Sequence, residues 1–240
     1  MPSTRTRPRI ALLDASHADS NTRRNFRREL DAELVEYDVT SNITPPHVEF
    51  DGIVITGSRS SVYWDEPWIQ TLITYVTEAI QKQLPVLGVC YGHQVLASAI
   101  GGTVSDMGEY ELGYREITQR ATDPLFEGIP DSFMAFTSHS DVDTDLPDEA
   151  VTLAHNDYGI HAFRYGNAWG VQFHPEYDRQ TAEVITRRKS LPDAYVQEVL
   201  DEITEANYSR ACKSKRLFDN FLGEIEHSPQ SISTVSTDVV

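Results

Sequence analysis

Residues 88–94 read GVCYGHQ and follow the apolar run LPVL, so a cysteine lies between two glycines where a buried strand gives way to a helical stretch. A nucleophile at a sharp strand-to-helix turn has a strained backbone, and strand and helix approach so closely there that side chains two residues either side would collide. Gly88 and Gly92 occupy those two positions around Cys90. The start of the following helix offers unpaired N–H groups and the positive end of its dipole, which favour the reactive thiolate. The backbone N–H of Tyr91, next after the nucleophile, points where an oxyanion would form. A lone cysteine without such glycines is more often a small buried hydrophobe. Cys212, among Arg210, Lys213, Lys215 and Arg216, has no such turn and is read that way.

A nucleophilic cysteine needs a base, and the base an orienting group. The stretch WGVQFHPEY, residues 169–177, supplies both in one place. A buried strand runs into His174, Pro175 ends its ladder pairing, and Glu176 lies near enough to accept from the second imidazole nitrogen. Alone, an HPE tripeptide is often a surface pair; joined to the cysteine turn it completes a Cys-His-Glu set. The remaining histidines offer less. His139 in TSHSD lacks a carboxylate at short spacing and is assigned a loop-structuring role. His17, His47, His155 and His161 are scattered, with no spacing that gathers a metal site. Asp141, Asp143, Asp145, Asp148 and Glu149 lack the glycine and closing glutamate of a calcium loop and are read as a solvated acidic face. No metal is expected.

The elements that must position these groups follow from periodicity. Apolar runs of strand length alternate with helical patterns, which points to an α/β fold, a parallel sheet covered by helices. Strands are expected at Arg9–Leu13, Leu34–Val39, Gly52–Thr56 and Val86–Val89. Helices are expected at Asn21–Leu30, Trp68–Gln83 and His93–Ile100, the last stopped by Gly101 and Gly102. Short runs at 113–118, 133–137, 151–155, 159–165 and 168–173 then imply a mixed or antiparallel extension of the sheet. From Asp178 the pattern is helical, with 194–222 the longest candidate. The Ser/Thr-rich tail from His227 is expected to be loose.

Composition narrows the partners. The 240 residues carry a formal net charge of -17, from 37 acidic and 20 basic side chains, a surface that repels nucleic acid and anionic membranes. Only four of the basic residues are lysine, and such acid-rich, lysine-poor surfaces suit concentrated salt. No apolar run approaches the roughly 20 residues of a membrane span, and the N-terminus lacks a signal-peptide pattern. With two cysteines, a cytoplasmic chain with reduced thiols is expected. No GxxxxGK[ST] loop is present, so no nucleotide cofactor is expected.

GVCYGHQ and VQFHPE together resemble the motifs of the class I glutamine amidotransferases, and the likeness runs from about residue 8 to about 180. TGSRSSVYWDEPWI (56–69) is similar to that family's oxyanion-strand loop, TSHSD (137–141) to the SHGD-type loop of GMP synthetase glutaminase domains, and LGYREI (112–117) to the segment before it. The resemblance implies a three-layer, flavodoxin-like, mostly parallel open sheet over residues 1–180, a C-terminal helical extension over 181–226 packed on the same domain, and the tail 227–240. It implies Cys90 as nucleophile, His174 as base then acid, and Glu176 as its orienter. The N–H groups of Tyr91 and of Ser58 or Gly57 would form the oxyanion hole, Gln94 would contact the amino-acid end of glutamine, and the backbone at Ser140 and Asp141 would hold its carboxylate. Two positions depart from the family pattern: Arg59 replaces a proline and Ser140 a glycine. Three activities remain open. The first is a glutaminase that feeds ammonia to a separate ATP-dependent synthetase subunit. The others are a hydrolase of another γ-glutamyl compound and a non-catalytic regulatory domain.

Overall fold

The structure is a computed structural model that describes residues 7–47 and 49–227. Nine strands form one sheet in the order β2-β1-β3-β4-β9-β8-β7-β5-β6. Its first half is parallel: β1 (Arg9–Asp14) pairs with β2 (Glu33–Asp38) and β3 (Gly52–Ile55), β3 with β4 (Val86–Val89), and β4 with β9 (Ala168–Val171). Its second half is antiparallel, through β8 (Gly159–Tyr165), β7 (Val151–Asn156), β5 (Thr103–Gln119) and β6 (Ser132–Asp145). The sheet is therefore mixed, as the change of pattern after residue 102 implied.

The parallel strands are buried on both faces and read as continuous apolar runs. Ile10, Leu12, Val54, Leu87 and Val89 face one core with Phe26 of α1 (Ser20–Glu29) and Phe218 and Phe221 of α7 (Arg216–His227). Ala11, Leu13, Ile53, Ile55 and Val86 face the other, against α2 (Pro67–Gln81) and α3 (Tyr91–Ala99). This alternation gives the three layers.

Two expectations are corrected. β5 and β6 extend well beyond 113–118 and 133–137, and TSHSD is part of β6 rather than a loop. Its buried residues are polar, so hydropathy did not mark it as strand. The expected helix over 194–222 is broken into α5 (Asp193–Glu202), α6 (Glu205–Ala211), a 3-10 turn and α7. Thr204 breaks it: its side chain accepts from the N–H of Asn207 and caps a new helix. A third core, with Val199 and Ile203 against Leu112, Tyr114 and Phe136, packs α5 on the antiparallel strands. Of the expected loose tail, all but His227 lies outside the described residues.

Candidate active site

The site forms beyond the carboxyl ends of β3, β4 and β9, where open parallel sheets bind ligands. Cys90 is the residue between β4 and α3, with φ 53° and ψ -103°. A non-glycine residue there holds strain of about 1–3 kcal/mol, kept only where the surroundings over-determine it. The glycines are what make it fit. A Cβ on Gly88 would lie 2.2 Å from the Gly92 carbonyl oxygen, and one on Gly92 would lie 2.5 Å from the Ile55 carbonyl oxygen of β3. The second clash is with the neighbouring strand, not with the strand that carries the cysteine.

The Cys90 N–H donates to Val171 O at 2.8 Å, and the Cys90 carbonyl accepts from the N–H groups of His93 and Gln94. The Cys90 side chain makes no cap hydrogen bond to α3. Tyr91 opens α3, and its N–H has no partner within the helix.

His174 lies three residues past Val171, and its N–H donates to Phe136 O at 2.8 Å, tying the end of this segment to β6. Its Nδ1 is 2.8 Å from Glu176 Oε1, and the ring stacks on Tyr177 at 4.0 Å and 18°. Cys90, His174 and Glu176 are all buried. Burial alone would lower the His174 pKa, but the charges of Cys90 and Glu176 and hydrogen bonds to both raise it to about 10. At neutral pH the ring is therefore an imidazolium beside the cysteine. Gly57 passes close to both: a Cβ there would be 3.0 Å from His174 Cε1 and 3.6 Å from Cys90 Cβ. The Gly57-Ser58 backbone thus lies beside Cys90.

Residues that sequence reasoning passed over complete the frame. Tyr177 follows the HPE motif directly and is the stacking partner. Arg28 of α1 donates to the Glu176 carbonyl oxygen at 2.6 Å and pairs with Asp178 at 2.9 Å. No local pattern links Arg28 to residue 176, because their contact spans the fold.

Gln94 is buried, donating to Gln172 Oε1 at 3.1 Å and reaching toward Asp141 O at 3.5 Å. Asp141 accepts from Tyr63 OH at 3.0 Å, and Ser140 is half-buried beside it. Gln94 and Asp141 are therefore brought together, with Ser140 next to Asp141 in β6.

The reading of residues 141–149 as a solvated face is overturned in part. Asp141 and Asp143 are 5% exposed, while Asp145, Asp148 and Glu149 face solvent. Strand alternation turns the two aspartates inward, where Asp143 Oδ2 comes within 2.5 Å of His93 Nε2. The histidines are also less scattered than their spacing implied. His139 Nε2 and His161 Nε2 lie 2.5 and 3.1 Å from Glu111 Oε2, a buried group whose ligand atoms fall within 4.8 Å of one another. These are hydrogen-bond distances. His139 Nδ1 also lies 2.9 Å from Asp141 O, so both ring nitrogens are engaged in the core. His139 accordingly anchors a strand rather than a loop. Burial would raise the Glu111 pKa, yet hydrogen bonds from His139 and His161 outweigh it and lower the carboxyl to about 2.

A cavity of about 330 Å³ opens from His174, Glu176, Gly57 and Ser58 toward Arg188 and Lys189. A wider groove of about 690 Å³, lined by residues 44–47 and 49 and by α2, shares no residue with Cys90, His174 and Glu176.

Residues 12–189 match the model of the glutamine amidotransferase class-I family, and the chain belongs to that family. Among its relatives, a glutamine-hydrolysing GMP synthase subunit of Methanopyrus kandleri is 32% identical over 158 residues, 63% of this chain and 81% of that protein. Gamma-glutamyl peptidase 5 of Arabidopsis thaliana is 35% identical over 149 residues, 58% of this chain and 59% of that protein. The full GMP synthase of Thermomicrobium roseum is 31% identical over 210 residues, 82% of this chain but 39% of that protein. The chain thus spans between two fifths and three fifths of the length of these last two relatives. A glutamine amidotransferase of Thermotoga maritima superposes with a TM-score of 0.75 at 22% identity, covering 92% of this chain and 98% of that one. That likeness shows the fold. Among the described residues, no helix is long and apolar enough to cross a membrane.

Proposed function

We propose that the chain hydrolyses the side-chain amide of glutamine through Cys90, His174 and Glu176. The observation that carries this reading is a buried histidine held by Glu176 at 2.8 Å beside a cysteine in a strained strand-to-helix turn. The thiolate attacks the amide carbon, and the oxyanion is met by the N–H groups of Tyr91 and of Gly57 or Ser58. The carbon–nitrogen bond breaks as His174 gives its proton to the leaving nitrogen, which departs as ammonia. His174, now neutral, takes a proton from water as the water attacks the thioester, and glutamate leaves with the thiolate and imidazolium restored. Gln94 and the backbone at Ser140 and Asp141 hold the amino-acid end. The ammonia passes to a separate ATP-dependent synthetase subunit. Kinship to the glutamine-hydrolysing subunits of GMP synthases supports this reading.

Glutamate release from glutamine tests the assignment. Cys90→Ala and His174→Ala should each lower turnover by on the order of 10⁴-fold, because triad members act as a unit. Turnover by Cys90→Ala at the wild-type rate would refute it. A second reading, hydrolysis of a larger γ-glutamyl compound, is favoured by one observation, the room beside His174.

A further inference from the structure

We propose that the cavity beside His174 is a leaving-group subsite for an anionic amine, the carboxylate-bearing amino acid or peptide released from a γ-glutamyl compound, with Arg59 and Lys189 as its cationic walls. The inference rests on Cys90 and His174 acting as described above.

Position assigns the cavity to the leaving group. It starts at the imidazole that protonates the departing nitrogen and at the Gly57-Ser58 backbone, whereas Gln94, Ser140 and Asp141 are absent from its wall. Size argues against ammonia as the sole occupant. The cavity holds about 330 Å³, while a molecule as small as water takes roughly 30 Å³ in the liquid.

Charge assigns the class of ligand. Of the acids on the wall, Asp19 is matched by Arg188 at 2.5 Å and Glu176 by His174 at 2.8 Å. Arg59 and Lys189 remain without an acid on that wall. The Lys189 ammonium is held against Tyr110, by the phenol oxygen and 4.6 Å above the ring. The Arg59 side chain has no hydrogen bond or ion pair among the described residues, and it is exposed at the cavity wall. In a chain of net charge -17, two cations unmatched by local acid beside a reactive centre form a local anion site, and a guanidinium fits a carboxylate in a bidentate way. Arg59 also stands where the family pattern has a proline, so the loop that shapes the oxyanion hole carries a charge at the position next to Ser58.

The chemistry balances as for glutamine. The thioester forms at Cys90, the bond between the γ-amide carbonyl carbon and nitrogen breaks, the amine of the released amino acid takes the His174 proton, and water then hydrolyses the thioester to glutamate.

The test compares kcat/KM for L-glutamine, γ-glutamylglycine and the uncharged γ-glutamylglycinamide, in wild type, Arg59→Gln and Arg59→Lys. The wild type should prefer γ-glutamylglycine to its amide by about tenfold or more, the factor of one charge-assisted hydrogen bond. Arg59→Gln should bring that ratio near one, and Arg59→Lys should recover part of it; a ratio is insensitive to general loss of loop order. Glutamine turnover without turnover of γ-glutamylglycine, or with no preference over the amide, overturns the subsite and leaves the glutaminase standing. No turnover of any substrate, with Cys90 unlabelled by a glutamine-analogue electrophile, overturns both readings.

Discussion

At the scale of residues, the chemistry of the site turns on a single ring. His174 is charged at neutral pH because the nearby Cys90 and Glu176 overcome the cost of burying it, with a pKa of about 10. Its raised value means the proton is present at neutral pH and lost as pH rises through about 10, so kcat/KM should fall on the alkaline side there. Glu176→Gln removes one of the two stabilising charges; the alkaline limb should move to lower pH and the rate should drop, read from the pH profile of kcat/KM. Glu111 works in the opposite sense. Its carboxyl is depressed to about 2, so the stability it contributes is complete above its ordinary value of 4.5 and lost as pH falls toward 2. Glu111→Gln should leave His139 facing the core without its carboxylate, and should cost about 1–3 kcal/mol in denaturant unfolding, with a weaker acid dependence than the wild type. Cys90, His174 and Glu176 could be found in the sequence because each sits in a local motif. Glu111 and Arg28 could not, because their partners lie 28 and 148 residues away.

At the scale of elements, the turn between β4 and α3 is held by what its glycines omit. Gly88→Ala would put a methyl group 2.2 Å from the Gly92 carbonyl oxygen, backbone that cannot rotate away. It should cost about 1–3 kcal/mol and disturb Cys90 directly, measured as unfolding free energy and as Cys90 labelling. Gly223 in α7 is the contrast. Nothing lies within 4 Å of a Cβ there, so Gly223→Ala should stabilise the protein by about 0.4–1 kcal/mol through helix propensity and reduced freedom of the unfolded chain. The same helix also belongs to the core. Leu217, Phe218, Phe221 and Ile225 are buried in the same core as β1 and β3, so α7 is an integral layer of the domain. The apolar periodicity over 194–222 was sound, but it could not show that Thr204 would serve as a cap and divide the run.

For the whole molecule, charge dominates. A net charge of -17 on 240 residues repels itself in the compact state, and salt shortens that repulsion to about 3 Å at 1 M. The melting temperature should therefore rise steadily from about 0.1 to 1 M sodium chloride; a fall over that range would contradict the argument. Isolated surface ion pairs such as Arg7–Asp31 at 2.5 Å contribute little and would weaken in the same titration.

By itself the sequence determined the alternation of the first four strands with their helices, the cysteine turn, and the histidine with its carboxylate, because each of these is written within a few neighbouring residues. Only the tertiary structure decided how the halves meet. Hydropathy could not show β6 continuing through SHSD, since the residues it buries there are polar and gain their partners from β5, β8 and α3. Nor could the sequence show the space beside His174 or what remained unmatched in it. A cavity and its charge balance are properties of side chains from distant segments brought to one place, here residues near 19, 59, 174 and 189.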